Sequence, residues 1–247
     1  MINIFYKNKY MKTLIKRSFF ILMVPVGMTT LHAQTVEDIT GKYVDAIGGK
    51  TVLASIKSLT IESSIDVMGQ EAPSTTYILV GKGFKSETDI QGQKMVQALT
   101  PDGGWMINPM AGSTTATALP ADQAKASIMQ LEIPSNPLAN YAAKGIKVEL
   151  IGKDSADYKL QATTPGVTST YYINMKTYLL DKQVSKISAG GQDVETTVSY
   201  SDYKKTDAGY VIANTSTLEL PQITLTINVK KVTVNGTIDP AIFTMPK

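Results

Sequence analysis

From Leu59 onward the chain alternates apolar and polar residues with a period of two, and it interrupts that alternation again and again with tight-turn signals. Leu59, Ile61, Ile65 and Val67 are interleaved with Thr60, Glu62, Ser64 and Asp66. The pattern returns at Ile146, Val148 and Leu150, at Tyr158, Leu160 and Ala162, and at Ile223, Leu225, Ile227 and Val229. Successive side chains of a strand point to opposite faces, so each run predicts a strand with one dry and one wet face. The intervening turns are Gly69-Gln70, Gln91-Gly92, Pro101-Asp102-Gly103-Gly104, Pro165-Gly166, Gly190-Gly191, Asp207-Ala208-Gly209 and Asn235-Gly236. Connections this short join antiparallel neighbours, because a parallel crossover needs roughly a dozen residues or more. A long antiparallel meander must hide its dry face by closing into a barrel or by curling around whatever helices it has. Where the helices cover that face incompletely, an apolar cavity is left.

Helical spacing appears in few places. Thr35 and Asp38 make a variant capping box, and Val36, Ile39, Tyr43, Val44 and Ile47 then recur along one helix face until Gly48-Gly49 stops it. A further turn or two is expected over residues 50–56, with Val52, Leu53 and Ile56 on one side. Between Pro120 and Ile133, Ala124, Ile128 and Leu131 share one side while Asp122, Gln123 and Lys125 take the other. This predicts a lid helix, closed by Pro134 and Pro137 and facing the sheet. No repeat or composition break marks a second domain, so residues 34–247 are expected to fold as one.

The first 33 residues carry a different message. Lys12, Lys16 and Arg17 precede the apolar run Ser18–Met28, and Leu31-His32-Ala33 offers a small residue before Gln34. This is the layout of a secretory signal peptide cleaved after Ala33, with Met11 as an alternative start. The run of 11 residues falls short of the roughly 20 that a spanning helix needs.

With the leader gone, the chain has no histidine, no cysteine and no arginine, since His32 and Arg17 are the only such residues. General-base, thiol and guanidinium chemistry are thereby disfavoured, and no cofactor or metal is expected. An exported chain without disulfides must rely on its core, which about 214 residues can supply. The 19 remaining lysines face 21 acidic residues, a formal charge of −2 that argues against nucleic acid as a partner.

Few motifs invite a catalytic reading. Ser201-Asp202-Tyr203-Lys204 matches a Ser-x-x-Lys pattern, but it lies in a period-two stretch where positions three apart face opposite sides. Asp193 and Glu195 could share a strand face, yet no Asp-x-Asp-x-Asp loop accompanies them. Lys204-Lys205 and Lys230-Lys231 fit either edge protection or contact with lipid headgroups or a partner protein. Asp102-Gly103-Gly104 lacks the Gly-Lys-Ser/Thr of a phosphate loop and reads as a turn. Directly after it come Trp105, Met106 and Ile107, with Met95, Met110 and Met129 close in sequence or on the lid helix. Soft, adaptable side chains of this kind either line an irregular apolar ligand or fill a core. The candidate ligand-binding residues are therefore Trp105, Met106, Met95, Ala124, Ile128, Met129 and Leu131, with Trp105 at the cavity mouth.

Tyr43 to Lys50 running into Leu53 and Ile56-Lys57-Ser58-Leu59, then Asp102-Gly103-Gly104-Trp105 with Pro109, resemble the LolA/LolB-like superfamily of periplasmic outer-membrane lipoprotein-sorting proteins. So do Pro137-Leu138-Ala139-Asn140-Tyr141 before Lys144-Gly145, the strand Tyr171-Tyr172-Ile173-Asn174, and the ending Asp239-Pro240-Ala241-Ile242-Phe243-Thr244-Met245-Pro246. The resemblance implies a mainly β (α+β) fold: a single curved antiparallel sheet of about ten or eleven strands, a half-closed barrel whose concave apolar face is lidded by helices. It implies a cavity that accepts lipid acyl chains. With the missing histidine and cysteine, the expectation is a monomeric periplasmic carrier without catalysis, binding lipid or lipoprotein acyl chains and touching membranes only peripherally. Related half-barrels also serve as ligand-sensing or protein-interaction modules, which makes an envelope protein the alternative partner. One departure is that lipoprotein carriers use an arginine near the lid, and residues 34–247 contain none.

Overall fold

A computed structural model describes residues 34–67, 69–132, 138–164, 167–189, 192–220 and 223–246. The leader assigned to residues 1–33 lies outside them, as do Pro134 and Pro137 of the lid. The chain forms one antiparallel sheet of 13 strands. In order these are β1 (Ser58–Val67), β2 (Gln70–Leu79), β3 (Gly83–Ile90), β4 (Gln93–Thr100), β5 (Gly103–Asn108) and β6 (Ser113–Ala118). There follow β7 (Lys147–Lys153), β8 (Asp157–Thr164), β9 (Val167–Asn174), β10 (Leu180–Ala189), β11 (Gln192–Lys205), β12 (Val211–Glu219) and β13 (Thr224–Val234). The spatial order is β6-β5-β4-β3-β2-β1-β13-β12-β11-β10-β9-β8-β7, so two meanders meet where β1 pairs with β13. The sheet curls without closing, and its edges are β6 and β7. This is the mainly β half-barrel expected, with more strands than the ten or eleven implied. Short polar segments such as Ser113–Ala118 pair because a neighbour offers them a ladder, not because of their own pattern.

The N-terminal helix α1 (Val36–Ala46) begins as its capping box dictates. The Asp38 amide donates to Thr35 Oγ1, and the Thr35 amide donates back to Asp38 Oδ2, both at 3.1 Å. Its apolar stripe buries Ile39, Tyr43 and Val44, with Ile47 just beyond, against Leu160, Tyr171, Ile173 and Leu180 on the concave face. Full burial of each such side chain contributes roughly 1.5–3 kcal/mol. The next helix, α2 (Gly49–Ser55), follows at once. Gly48 between them has φ of +123°, and a Cβ there would come within 2.7 Å of the Gly209 carbonyl, so only glycine fits the corner.

The lid departs from expectation. Instead of one helix over residues 120–133, a short α3 (Ala121–Ala126) gives way to a 3-10 turn over Ile128–Leu131. Tightening from 3.6 to about 3.0 residues per turn rotates the last turn relative to the first. Ala124 and Leu131 remain buried, but Ile128 is 40% exposed. The Leu131 carbonyl is anchored by the Gly81 amide at 2.8 Å. Among the described residues no helix is long and apolar enough to cross a membrane.

The C-terminal segment lies across the convex side of β2 to β5. Phe243 sits on Gly83, where any Cβ would strike its ring, and it is buried to 3% exposure.

Candidate functional site

Cross-strand register decides which side chains share the concave face. One row runs Leu59, Ile78, Phe84, Leu99 and Gly104; the next runs Ile61, Thr76, Ser86, Gln97 and Met106. The third row holds Ser63, Ser74, Thr88 and Met95, and Ser74 bonds Thr88 Oγ1 at 2.9 Å. The face therefore grades from apolar beneath the lid to hydroxyl-rich further along the strands.

Between the two meanders lies a cavity of about 410 Å³. Ile61, Ile78 and Phe84 line one side, Tyr171, Leu180 and Ile212 the other, and Ile227 and Val229 the base. Met129, Gln130 and Glu132 from the lid border it. Two polar groups of the wall are tied into a hydrogen-bond chain that runs on behind it. The Tyr200 hydroxyl donates to Gln183 Oε1 at 3.4 Å, and Gln183 Nε2 donates to Ser185 Oγ at 2.9 Å. Ser185 and Ser169 share a hydrogen bond of 2.8 Å. Burial pushes the Tyr200 hydroxyl up to about 12, with Tyr171 adding to the effect, so this wall stays uncharged at neutral pH. Glu132, the one charged residue of the lining, forms an ion pair with Lys144 at 3.3 Å.

The residues anticipated from sequence divide around this geometry. Met106, Ala124 and Leu131 come together with Leu99, Leu119 and Phe84 in an apolar cluster under the lid. Met129 lines the cavity itself. Ala124 and Ile128 line a separate cleft at the Thr100–Gly104 turn, where Ile128 faces outward for the reason given above. Met95 lies on the concave face, outside the cavity lining, and Met110 is 71% exposed.

Trp105 is a correction: it does not stand at the cavity mouth. It pairs with Ala98, next to Lys85 and Tyr77, on the face opposite Met106, because adjacent residues of a strand cannot share a side. Its ring packs with Val96 and Ala98, and its Nε1 donates to the Phe243 carbonyl at 2.8 Å. The expectation missed Thr76, Gln183, Tyr200 and Ser216, which reach the cavity from both meanders. The usable signal was the dry face already visible at Ile61, Ile227 and Val229, extended to the neighbouring strands.

The suspected catalytic groups are otherwise engaged. Lys204 Nζ lies 2.8 Å from Asp202 and is more than half exposed. Glu195 pairs across the ladder with Lys186 at 3.4 Å, while the side chain of Asp193 lies outside the described residues.

No protein-family model matches the sequence, and no curated protein matches it. Solved structures match along nearly their whole length. A DUF1329 family protein from Desulfovibrio piger is 15% identical over 85% of this chain and 98% of that one, with a TM-score of 0.57. A LolA superfamily protein from Nitrosomonas europaea is 11% identical over 86% and 98%, with a TM-score of 0.56. A domain assigned to outer membrane lipoprotein sorting from Vibrio parahaemolyticus is 14% identical over 85% and 95%, with a TM-score of 0.52. The class defined by this half-open sheet is the LolA-like fold. At these identities it is the fold that the chain shares with those three proteins.

Proposed function

We propose that this chain is an exported, non-catalytic carrier that holds the acyl chain of a lipid or lipoprotein in the cavity between its two meanders. The observation that carries this reading is the cavity: about 410 Å³, apolar on most sides, and within the range of roughly 300–1,000 Å³ typical of ligand pockets. The named relatives of this fold include one assigned to lipoprotein sorting, which supports the same class of ligand. The leader pattern of residues 1–33 supports delivery to the periplasm. The engagement of Lys204 by Asp202, and the lack of histidine and cysteine after residue 33, support binding without turnover.

The test is a titration of delipidated protein with a palmitoyl lysophospholipid, beside a Ser216→Trp variant that plugs the cavity. Saturable binding of about one lipid per chain, lost in a variant that melts like the parent, is the expected result. Binding indifferent to the plug, or no binding by either protein, would overturn it. A stoichiometric protein partner recovered with an empty cavity would favour the interaction-module alternative.

A further inference from the structure

The sheet is not paired throughout between its two meanders. The ladder between β12 and β13 runs from Glu219–Thr224 only as far as Thr215–Asn228. Beyond that point residues 211–213 stay with β11 while Val229 and residues 231–234 stay with β1, so the two strands diverge into a fork. A β-bulge deepens it. Glu62 pairs with Lys231 and Ser63 with Val229, which leaves Lys230 as the extra residue, re-aimed out of the ladder.

The lining of the fork is unusual for this protein. Lys204 and Lys205 from β11 meet Lys230 and Lys231 from β13 around a cleft of about 180 Å³, with Asp207 the single acid among the lining residues. Lys204 is held by Asp202 at 2.8 Å and Lys231 by Glu62 at 3.5 Å, whereas Lys205 and Lys230 form no ion pair among the described residues. At the lysine pairs β11 is paired only with β12 and β13 only with β1, so the lysines also guard a local open edge within the sheet. The cleft adjoins the apolar site, since Ile212 and Val229 line both cavities.

An apolar chamber that shares two wall residues with a lysine-lined cleft is shaped for an amphiphile with a negative end. We propose that the β12–β13 fork is a headgroup site, binding the phosphate or carboxylate of an amphiphile whose acyl chain occupies the adjoining cavity. The inference rests on the carrier reading above. Lysines suit this task as mobile point charges that follow a headgroup of variable shape. Their attraction is screened by salt because the fork is solvated.

Binding of palmitoyl lysophosphatidylglycerol, monopalmitoylglycerol and inorganic phosphate to delipidated protein tests the proposal at low and high ionic strength. The anionic lipid is expected to bind at least roughly tenfold more tightly than the neutral one at low salt, with the advantage shrinking as salt rises. In a Lys205→Gln/Lys230→Gln double variant the ratio of the two affinities should fall toward one. Equal affinities in the parent, or a double variant that weakens both lipids alike, would overturn the headgroup site and leave the carrier reading standing. Inorganic phosphate binding as tightly as the anionic lipid would reduce the fork to a free-anion site and overturn its coupling to the cavity. Failure of both lipids to bind would overturn the carrier reading and this inference together. A Lys230→Glu variant gives an independent reading: it should reverse the preference toward the neutral lipid, and an unchanged preference in a folded variant contradicts the proposal.

Discussion

The indole Nε1 of Trp105 donates to the backbone oxygen of Phe243 at 2.8 Å, tying β5 to the C-terminal segment on the convex face. This bond and the seat of the Phe243 ring on Gly83 make the segment a strap on the side of the sheet away from the cavity.

Trp105→Phe should therefore cost about 1–3 kcal/mol of stability, because it leaves a buried carbonyl without its donor. Urea unfolding followed by circular dichroism measures the loss. The same placement predicts that emission from Trp105 in the parent protein stays unchanged when an acyl ligand fills the cavity. A saturable shift in emission would return Trp105 to the binding site.

The two faces of the lid separate the next pair of variants. Leu131 is 4% exposed, and Leu131→Ala should cost about 2–4 kcal/mol through the cavity it leaves. Ile128 is 40% exposed, and Ile128→Asp should cost only about 1 kcal/mol, less than Leu131→Ala. Thermal or urea midpoints compare them directly. A large loss in Ile128→Asp would mean that the lid docks as the single continuous helix its spacing suggests.

The architecture was legible in the sequence because it depends on period and turn chemistry, which are local. Thr35, Asp38, Ile39 and Tyr43 announce α1, and the alternation from Leu59 onward announces the meander. What was not legible depends on register. Trp105 and Met106 were grouped by composition, although a strand must send them to opposite faces. The spacing of Ala124, Ile128 and Leu131 is helical, yet a 3-10 turn after Ser127 takes Ile128 out of line. The place of the lysine pairs beside the cavity follows only from the β1–β13 pairing. That pairing joins residues more than 150 positions apart, beyond the reach of any local pattern.

Asp157 makes stability depend on pH. Burial, with the negative charges of Asp181 and Asp154, pushes its carboxyl from 3.8 up to about 6. Its Oδ1 is buried without a hydrogen-bond partner. A raised folded-state value means that the native chain holds a proton the unfolded chain has already released. This group's contribution is thus most favourable below pH 3.8 and is lost as pH rises through about 6. Asp157→Asn should stabilise the protein at pH 7.5 by about 1 kcal/mol, a figure reduced for the solvent screening of this partly exposed site. At pH 4 the gain should largely vanish. Urea denaturation at both pH values checks this, and an equal effect at the two would contradict it.

Native mass spectrometry of the protein released from the periplasm, without detergent, tests the carrier account most directly. The account predicts a chain beginning at Gln34 that carries about one acyl lipid, with the adduct absent from a folded Ser216→Trp variant. A periplasmic chain of bare polypeptide mass, with no lipid recovered on extraction, would contradict it.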